Sequence, residues 1–373
     1  MMSLCLVNTR PVKPQSSGTI YIRADGSVEG IDKIERVGNV YTFVDNISDS
    51  IVVERDNIVV DGAGYFIEGL HSGLGSPPDG YGILVEGRRN VTINNVAIQH
   101  FFYGICLNSS SKNRITRSNI TNNSKGIYIE NSSDNIIHEN QITNNTDIGI
   151  YVFESLDTNI KNNLIGDNAN DGICLFLSSD NDFGYCDIRD NGVGIRIINS
   201  SIRPLVDSNI TNNSIGIHLE ASSVVIQSNN IANNGIGIQL AGSDNRIDRN
   251  NFINNTKQVY DVAWDNPGMS LSVNTWYWGD AGNYWSDYTE KYPNATEIDN
   301  SGIWDTPYVI DENNQDNFPT SEPFRIPHEQ CMPDTEIFLI TGWIFWGIII
   351  TAIVGTALLV YFRKIRKTTE KAE

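Results

Sequence analysis

A regular series of eight Gly-Ile pairs runs through the middle of this 373-residue chain, at Gly82, Gly104, Gly126, Gly149, Gly172, Gly194, Gly216 and Gly237, with spacings of 22, 22, 23, 23, 22, 22 and 21 residues. A period in that range marks a solenoid, in which each repeat is one small unit that buries its apolar face only against its neighbours. Behind each pair the hydrophobic residues alternate, as in Ile127 and Ile129, Ile150 and Val152, or Ile217 and Leu219. Alternation with period two is the pattern of a strand with one buried face. Further isoleucine runs follow between turns rich in Asn, Ser and Gly, such as "NRITRSNI" at 113–120 and "NIIHENQI" at 135–142. Each coil therefore reads as three short strands.

Leucine-rich repeats share the period, but here isoleucine dominates and no run is long enough for a helix on the convex side. A left-handed helix of hexapeptides would place an apolar residue at every sixth position, which this sequence does not do. The fold class expected is all-β: a right-handed parallel β-helix, three-sided, with about 22 residues per coil, plus a single C-terminal transmembrane helix. When coils stack, like residues form columns. Asn119, Asn140, Asn163, Asn209, Asn230 and Asn251 are expected to form an asparagine ladder, with Cys186 standing in for one rung. In it each amide donates to the coil on one side and accepts from the other. The glycines of the Gly-Ile pairs are expected where the chain needs a positive φ or has no room for a Cβ.

The ends break the pattern. Residues 337–362 form 26 consecutive uncharged positions, enough to cross a hydrocarbon core, and Arg363, Lys364, Arg366 and Lys367 follow directly. The basic cluster predicts a cytoplasmic C-terminus with everything before the span outside the cell. The N-terminus has no apolar stretch of signal-peptide length. The organisation expected is an N-terminal segment at 1–18, the β-helix at 19–262, a Trp-rich cap and membrane-proximal linker at 263–336, the span at 337–362 and a basic tail at 363–373. In the cap, Trp264, Trp276, Trp278, Trp285 and Trp304 are expected to cover the open end of the solenoid. A formal net charge of −19 argues against a nucleic-acid partner. Cys5, Cys106, Cys174, Cys186 and Cys331 show neither zinc-type spacing nor an even-numbered disulfide framework. Twelve N-x-S/T sequons offer glycan acceptors in an exported chain.

The stretches "DNIVVDGAGY" at 56–65, "NVTINNVAI" at 90–98, "GNYWSDY" at 282–288 and "DTPYVIDENNQD" at 305–316 resemble the NosD-type β-helix family, whose members are called periplasmic copper-binding proteins and recur as archaeal surface proteins. The resemblance implies the fold, a repeat of the carbohydrate-binding and sugar-hydrolysis type, and an association with copper-site maturation. No cofactor is expected from the residues. The five histidines are scattered, whereas copper sites need converging His, Met or Cys. Asp299, Asn300 and Asp305 are the residues a calcium ion would use, against the reading of a solvated acidic turn.

On the face that follows each Gly-Ile pair, the outward column expected is Leu84, Cys106, Tyr128, Tyr151, Cys174, Arg196, His218, Gln239 and Tyr260. It contains no carboxylate. The next column is expected to offer Glu86, Glu130, Glu154 and Glu220. Tyr128, Tyr151, Arg196, His218, Glu220, Gln239 and Tyr260 are the candidate glycan-contact residues, since phenol rings pair apolar area with a hydroxyl and the others add hydrogen-bonding groups. No catalytic residue and no metal ligand is assigned. The function expected is a membrane-anchored extracellular module that binds surface polysaccharide or envelope proteins. A polysaccharide lyase, hydrolase or epimerase and an accessory factor for copper-site maturation are the alternatives, because fold alone does not select a function.

Overall fold

In the computed structural model, residues 18–69, 80–266 and 268–326 are described. The chain winds a right-handed, all-β parallel solenoid of about ten turns. Each coil contributes one strand to each of three sheets of 12, 11 and 10 strands. One coil shows the rule: Lys125–Glu130 lies in the long sheet, Ile136–His138 in the second and Gln141–Thr143 in the third. The expected span at 337–362, most of the loop at 71–82 and both termini lie outside the described residues. Among those described, no helix is long and apolar enough to cross a membrane.

The inward columns are aliphatic and sealed. Ile105, Ile127, Ile150, Ile173 and Ile195 stack in register, as do Leu107, Ile129, Val152, Leu175 and Ile197, and all are at most 1% exposed. β-Branched side chains suit this arrangement, because their single preferred rotamer repeats unchanged from coil to coil. The repeated glycine has a steric origin. A Cβ on Gly126 would lie 2.6 Å from the carbonyl oxygen of Gly149 in the next coil. Positive φ angles fall elsewhere, on corner residues such as Lys112, Arg117 and Asn122.

Each of those corner residues precedes a buried polar one, and these polar residues form the ladders. The sequence expectation needs correction here. Asn140 and Asn163 share a buried column that continues through Cys186, Ser208, Asn229, Asn250 and Asn283. Asn119, Asn209, Asn230 and Asn251 sit one residue later, in the neighbouring strand column. There Asn230 Nδ2 donates to Asn209 Oδ1 at 2.7 Å as a second, outer stack. The two columns differ by one position, and in strands one position changes the side of the sheet. A further ladder, absent from the expectation, runs through Asn123, Asn145, Asn168, Asn191, Asn213, Asn234 and Asn255 beneath the long sheet's Gly-Ile bend.

The C-terminal end is closed by aromatic packing. Phe252 of the last full coil stacks on Trp285 at 4.4 Å, and Trp285 stacks on Tyr308 at 4.0 Å. Trp276 and Trp285 are buried and Trp304 stacks on Tyr288, whereas Trp264 and Trp278 are 40% and 57% exposed, Trp264 packing on Tyr260 and Trp278 beneath the Arg246 guanidinium. At the other end two antiparallel pairs, Ile20–Ile22 with Val28–Glu29 and Ile34–Val37 with Val40–Phe43, begin the sheets. Open strand edges invite further pairing, and these additions blunt both ends.

Candidate functional site

The outer surface of the long sheet carries three columns, because residues one, four and six of each "xGIxφx" strand point outward. Register places Leu84, Cys106, Tyr128, Tyr151, Cys174, Arg196, His218, Gln239 and Tyr260 in the middle column. The flanking column before glycine holds Tyr81, Tyr103 and Lys125. The one after holds Glu86, Asn108, Glu130, Phe153, Phe176, Ile198 and Glu220. Glu154, expected in that last column, is instead a left-handed corner residue with φ of 46°, and Phe153 takes the strand position.

Aromatic rings from all three columns join into one diagonal row. Tyr81, Tyr103, Tyr128, Tyr151, Phe153 and Phe176 follow one another with centroid distances of 5.5, 4.6, 5.6, 6.2 and 5.8 Å. Most neighbours lean face to face, so the flat faces are occupied within the row. Its outer surface is then made of ring edges and phenol hydroxyls, a change from the flat platforms expected. Sequence reasoning missed Tyr81, Tyr103, Phe153 and Phe176. For Phe153 and Phe176 the period of two was the available signal, since they stand two residues after Tyr151 and Cys174, whereas Tyr81 and Tyr103 stand three residues before the middle column, across the Gly-Ile bend, where that period does not reach.

Burial raises the phenol pKa along this row, and the nearby Glu130 carboxylate adds to the effect on Tyr128. Cys106 and Cys174, between the rings and the backbone, are pushed up to about 12 chiefly by burial, which leaves them as inert thiols.

Below Cys174 the strip changes character. Arg196 was expected to offer its guanidinium to a ligand, but Nε and Nη2 donate to Asp171 at 2.8 and 2.9 Å, a bidentate pair on a buried carboxylate. Its charge is already matched inside the protein. His218 Nδ1 lies 2.9 Å from Gln239 Oε1, and Nε2 lies 3.8 Å from Glu220. Tyr260 packs edge-on against Trp264 and hydrogen-bonds to Asp265. The seven expected contact residues thus divide. Tyr128 and Tyr151 belong to the aromatic row, whereas Arg196, His218, Glu220, Gln239 and Tyr260 lie in a polar lower half whose groups largely satisfy one another.

Among the described residues no three His, Cys, Asp or Glu side chains come together as a metal-binding group. Asp305 accepts from Thr296 N, Thr296 Oγ1 and Thr306 Oγ1, contacts that hold its carboxyl below the usual range. Asp299 and Asn300 are both left-handed turn residues.

Two family descriptions match the chain: "Right handed beta helix region" over residues 75–210, and "Periplasmic copper-binding protein (NosD)" over residues 203–290. The matches support a NosD-type right-handed β-helix family. No curated protein matches. Solved structures similar to the chain include the mannuronan C-5 epimerase AlgE6 A-module of Azotobacter vinelandii, at 14% identity and TM-score 0.44, covering 64% of this chain and 80% of that one. Pectate lyase Pel9A is similar at 16% identity and TM-score 0.46, covering 84% and 79%. The Dettilon tailspike protein is similar at 17% identity and TM-score 0.46, covering 59% and 55%. At these scores the likeness carries no argument about activity.

Proposed function

We propose that this protein is a surface module that binds an extended glycan along the upper half of its long sheet. The observation that carries this reading is the unbroken row of six rings from Tyr81 to Phe176. Its exposed ring edges give an extended sugar chain apolar area to lie on, while phenol hydroxyls beside Glu86, Asn108 and Glu130 match the sugar hydroxyls. The row crosses several coils, which suits a polymer better than a small molecule. The apolar run at 337–362 with its basic flank would tether the module to a membrane with the solenoid outside.

The test is retention on immobilised cell-envelope polysaccharide. Tyr128→Phe with Tyr151→Phe keeps the stacked rings and removes two hydroxyls, so weakened retention with unchanged melting is expected. Tyr128→Ser with Tyr151→Ser should abolish retention. If both doubles are retained like the parent, the row is only packing.

A second reading, a polysaccharide hydrolase, has one observation in its favour. Glu86 and Glu130 flank Asn108 two coils apart in one column, roughly 9–10 Å at the usual strand spacing. Inverting glycosidases hold their carboxyl groups about 6.5–9.5 Å apart. New reducing ends that vanish in Glu130→Gln would favour this reading over binding alone. The role in copper-site maturation rests on family likeness only.

A further inference from the structure

The second sheet carries a groove of about 450 Å³ on its outer face, with Thr92, Asn94, Arg114, Thr116, Arg117 and His138 in its wall. Register brings them together. Thr92 lies beside Arg114, and Asn94, Thr116 and His138 follow one another on successive coils. Arg117 occupies the adjacent left-handed corner with φ of 48°.

The charges in this groove are unusual for so acidic a chain. Arg196, Arg203, Arg246 and Arg249 are each tied to an aspartate. Among the described residues Arg114 and Arg117 have no carboxylate in ion-pair reach, and both are exposed. Arg117 Nε donates to Asn94 Oδ1 at 3.1 Å, which fixes its direction and leaves the rest of its fork open. Asn94 in turn donates to Asp61 at 3.3 Å. Glu139 also lines the groove, and its Oε1 lies 3.4 Å from Nδ1 of the His138 ring rather than within ion-pair reach of either arginine. Two like charges facing one cavity repel each other, and an oxyanion between them relieves that repulsion. Guanidinium forks fit planar or tetrahedral oxyanions by paired hydrogen bonds.

We propose that this groove binds an acidic sugar unit, with Arg114 and Arg117 taking a carboxylate or sulfate-ester group and Thr92 and Thr116 contacting the sugar hydroxyls. The site is separate from the aromatic row and does not depend on it, because it lies on another sheet.

Calorimetric titration of the full chain with three probes tests the assignment: tetragalacturonate, a sulfated carrageenan tetrasaccharide, and the methyl ester of tetragalacturonate as the uncharged control. Binding of at least one charged probe and not of the ester is expected, with affinity falling as salt is added. The charged probe that binds identifies the anion. Arg114→Gln with Arg117→Gln should weaken that binding roughly tenfold or more, the loss expected for charge-assisted hydrogen bonds. Arg203→Gln, which removes an exposed guanidinium paired with Asp157 outside the groove, should leave it in place, which separates this site from a general loss of positive charge. Equal affinity for the ester, no binding of either charged probe, an unaffected arginine double, or equally strong competition by sodium sulfate alone would each overturn the proposal.

Discussion

Asp316 ends the buried polar column with a carboxylate that has no exposed surface. It accepts from Asn283 N, Trp285 Nε1 and Phe318 N, yet burial outweighs these donors and pushes its carboxyl up to about 6. A carboxyl whose folded pKa is raised favours the protonated native state. That stabilisation is full below the ordinary value near 3.8 and is lost as pH rises through about 6. Asp248, likewise fully buried and raised by burial despite Arg246 and Arg249, acts in the same direction. The protein is therefore expected to gain about 2 kcal/mol of stability from Asp316 when pH is lowered from 7 to about 4.5, seen as a higher melting temperature. Asp316→Asn should shrink that rise, and calorimetry giving the same rise in both proteins would remove Asp316 as its source. Cys186 shows the opposite economy of means. Its thiol lies 3.6 and 3.4 Å from Ile160 O and Gly184 O, the places where Asn163 Nδ2 meets Ile137 O and Lys161 O. A weak donor of the right size keeps the column continuous there.

Between strands, the ladders decide how much one amide matters. Asn163 accepts from Asn140 N and Nδ2 and donates to two carbonyls, all in the interior. Asn163→Ala orphans several buried groups at once and is expected to cost about 2–4 kcal/mol. Asn209, which the sequence reading placed in the same ladder, is half-buried and bonds outward to Asp187 and Asn230. Asn209→Ala should cost below about 1 kcal/mol. Equal losses on chemical denaturation would contradict the two-column assignment. Consecutive asparagines hid this distinction. In "NNI" at 229–231 and "NNF" at 250–252 either amide satisfies the pattern, and only the left-handed corner residue before each, Ser228 or Arg249, shows which one turns inward. The ring row was hidden for a related reason, since a diagonal crosses three columns that a repeat aligned on Gly-Ile keeps apart.

At the scale of the whole molecule, a stack of coils is stable only if its ends are closed. Phe252, Trp285 and Tyr308 continue the core's stacking past the last coil, and Asn274, Asn283, Asn314 and Asp316 carry two polar columns across the same boundary. Trp285→Ala is thus expected to remove the cap's central ring, at about 3–5 kcal/mol, and to promote end-to-end association, readable by light scattering. A monomer of parental stability would show that the cap is dispensable. The topology proposed for the chain is tested separately. Protease added to intact cells should degrade the solenoid and spare a tag placed after Glu373, and protection of the solenoid would reverse the orientation.

The 22-residue return of Gly-Ile and the alternation behind it determined a three-sided parallel β-solenoid, its inward columns and the register of its long sheet. These follow from local rules: strand periodicity sets the faces, and stacking identical coils forces like residues into line. Sequence alone also selected the column containing Tyr128, Tyr151, Arg196 and His218. What it did not determine is which of those groups remain available. Arg196 is bound to Asp171 of the preceding coil, while Arg114 and Arg117, singled out by no motif, face a groove and among the described residues pair with no carboxylate. Pairing of charges depends on distances across coils and between corners, and these exist only once the chain has wound.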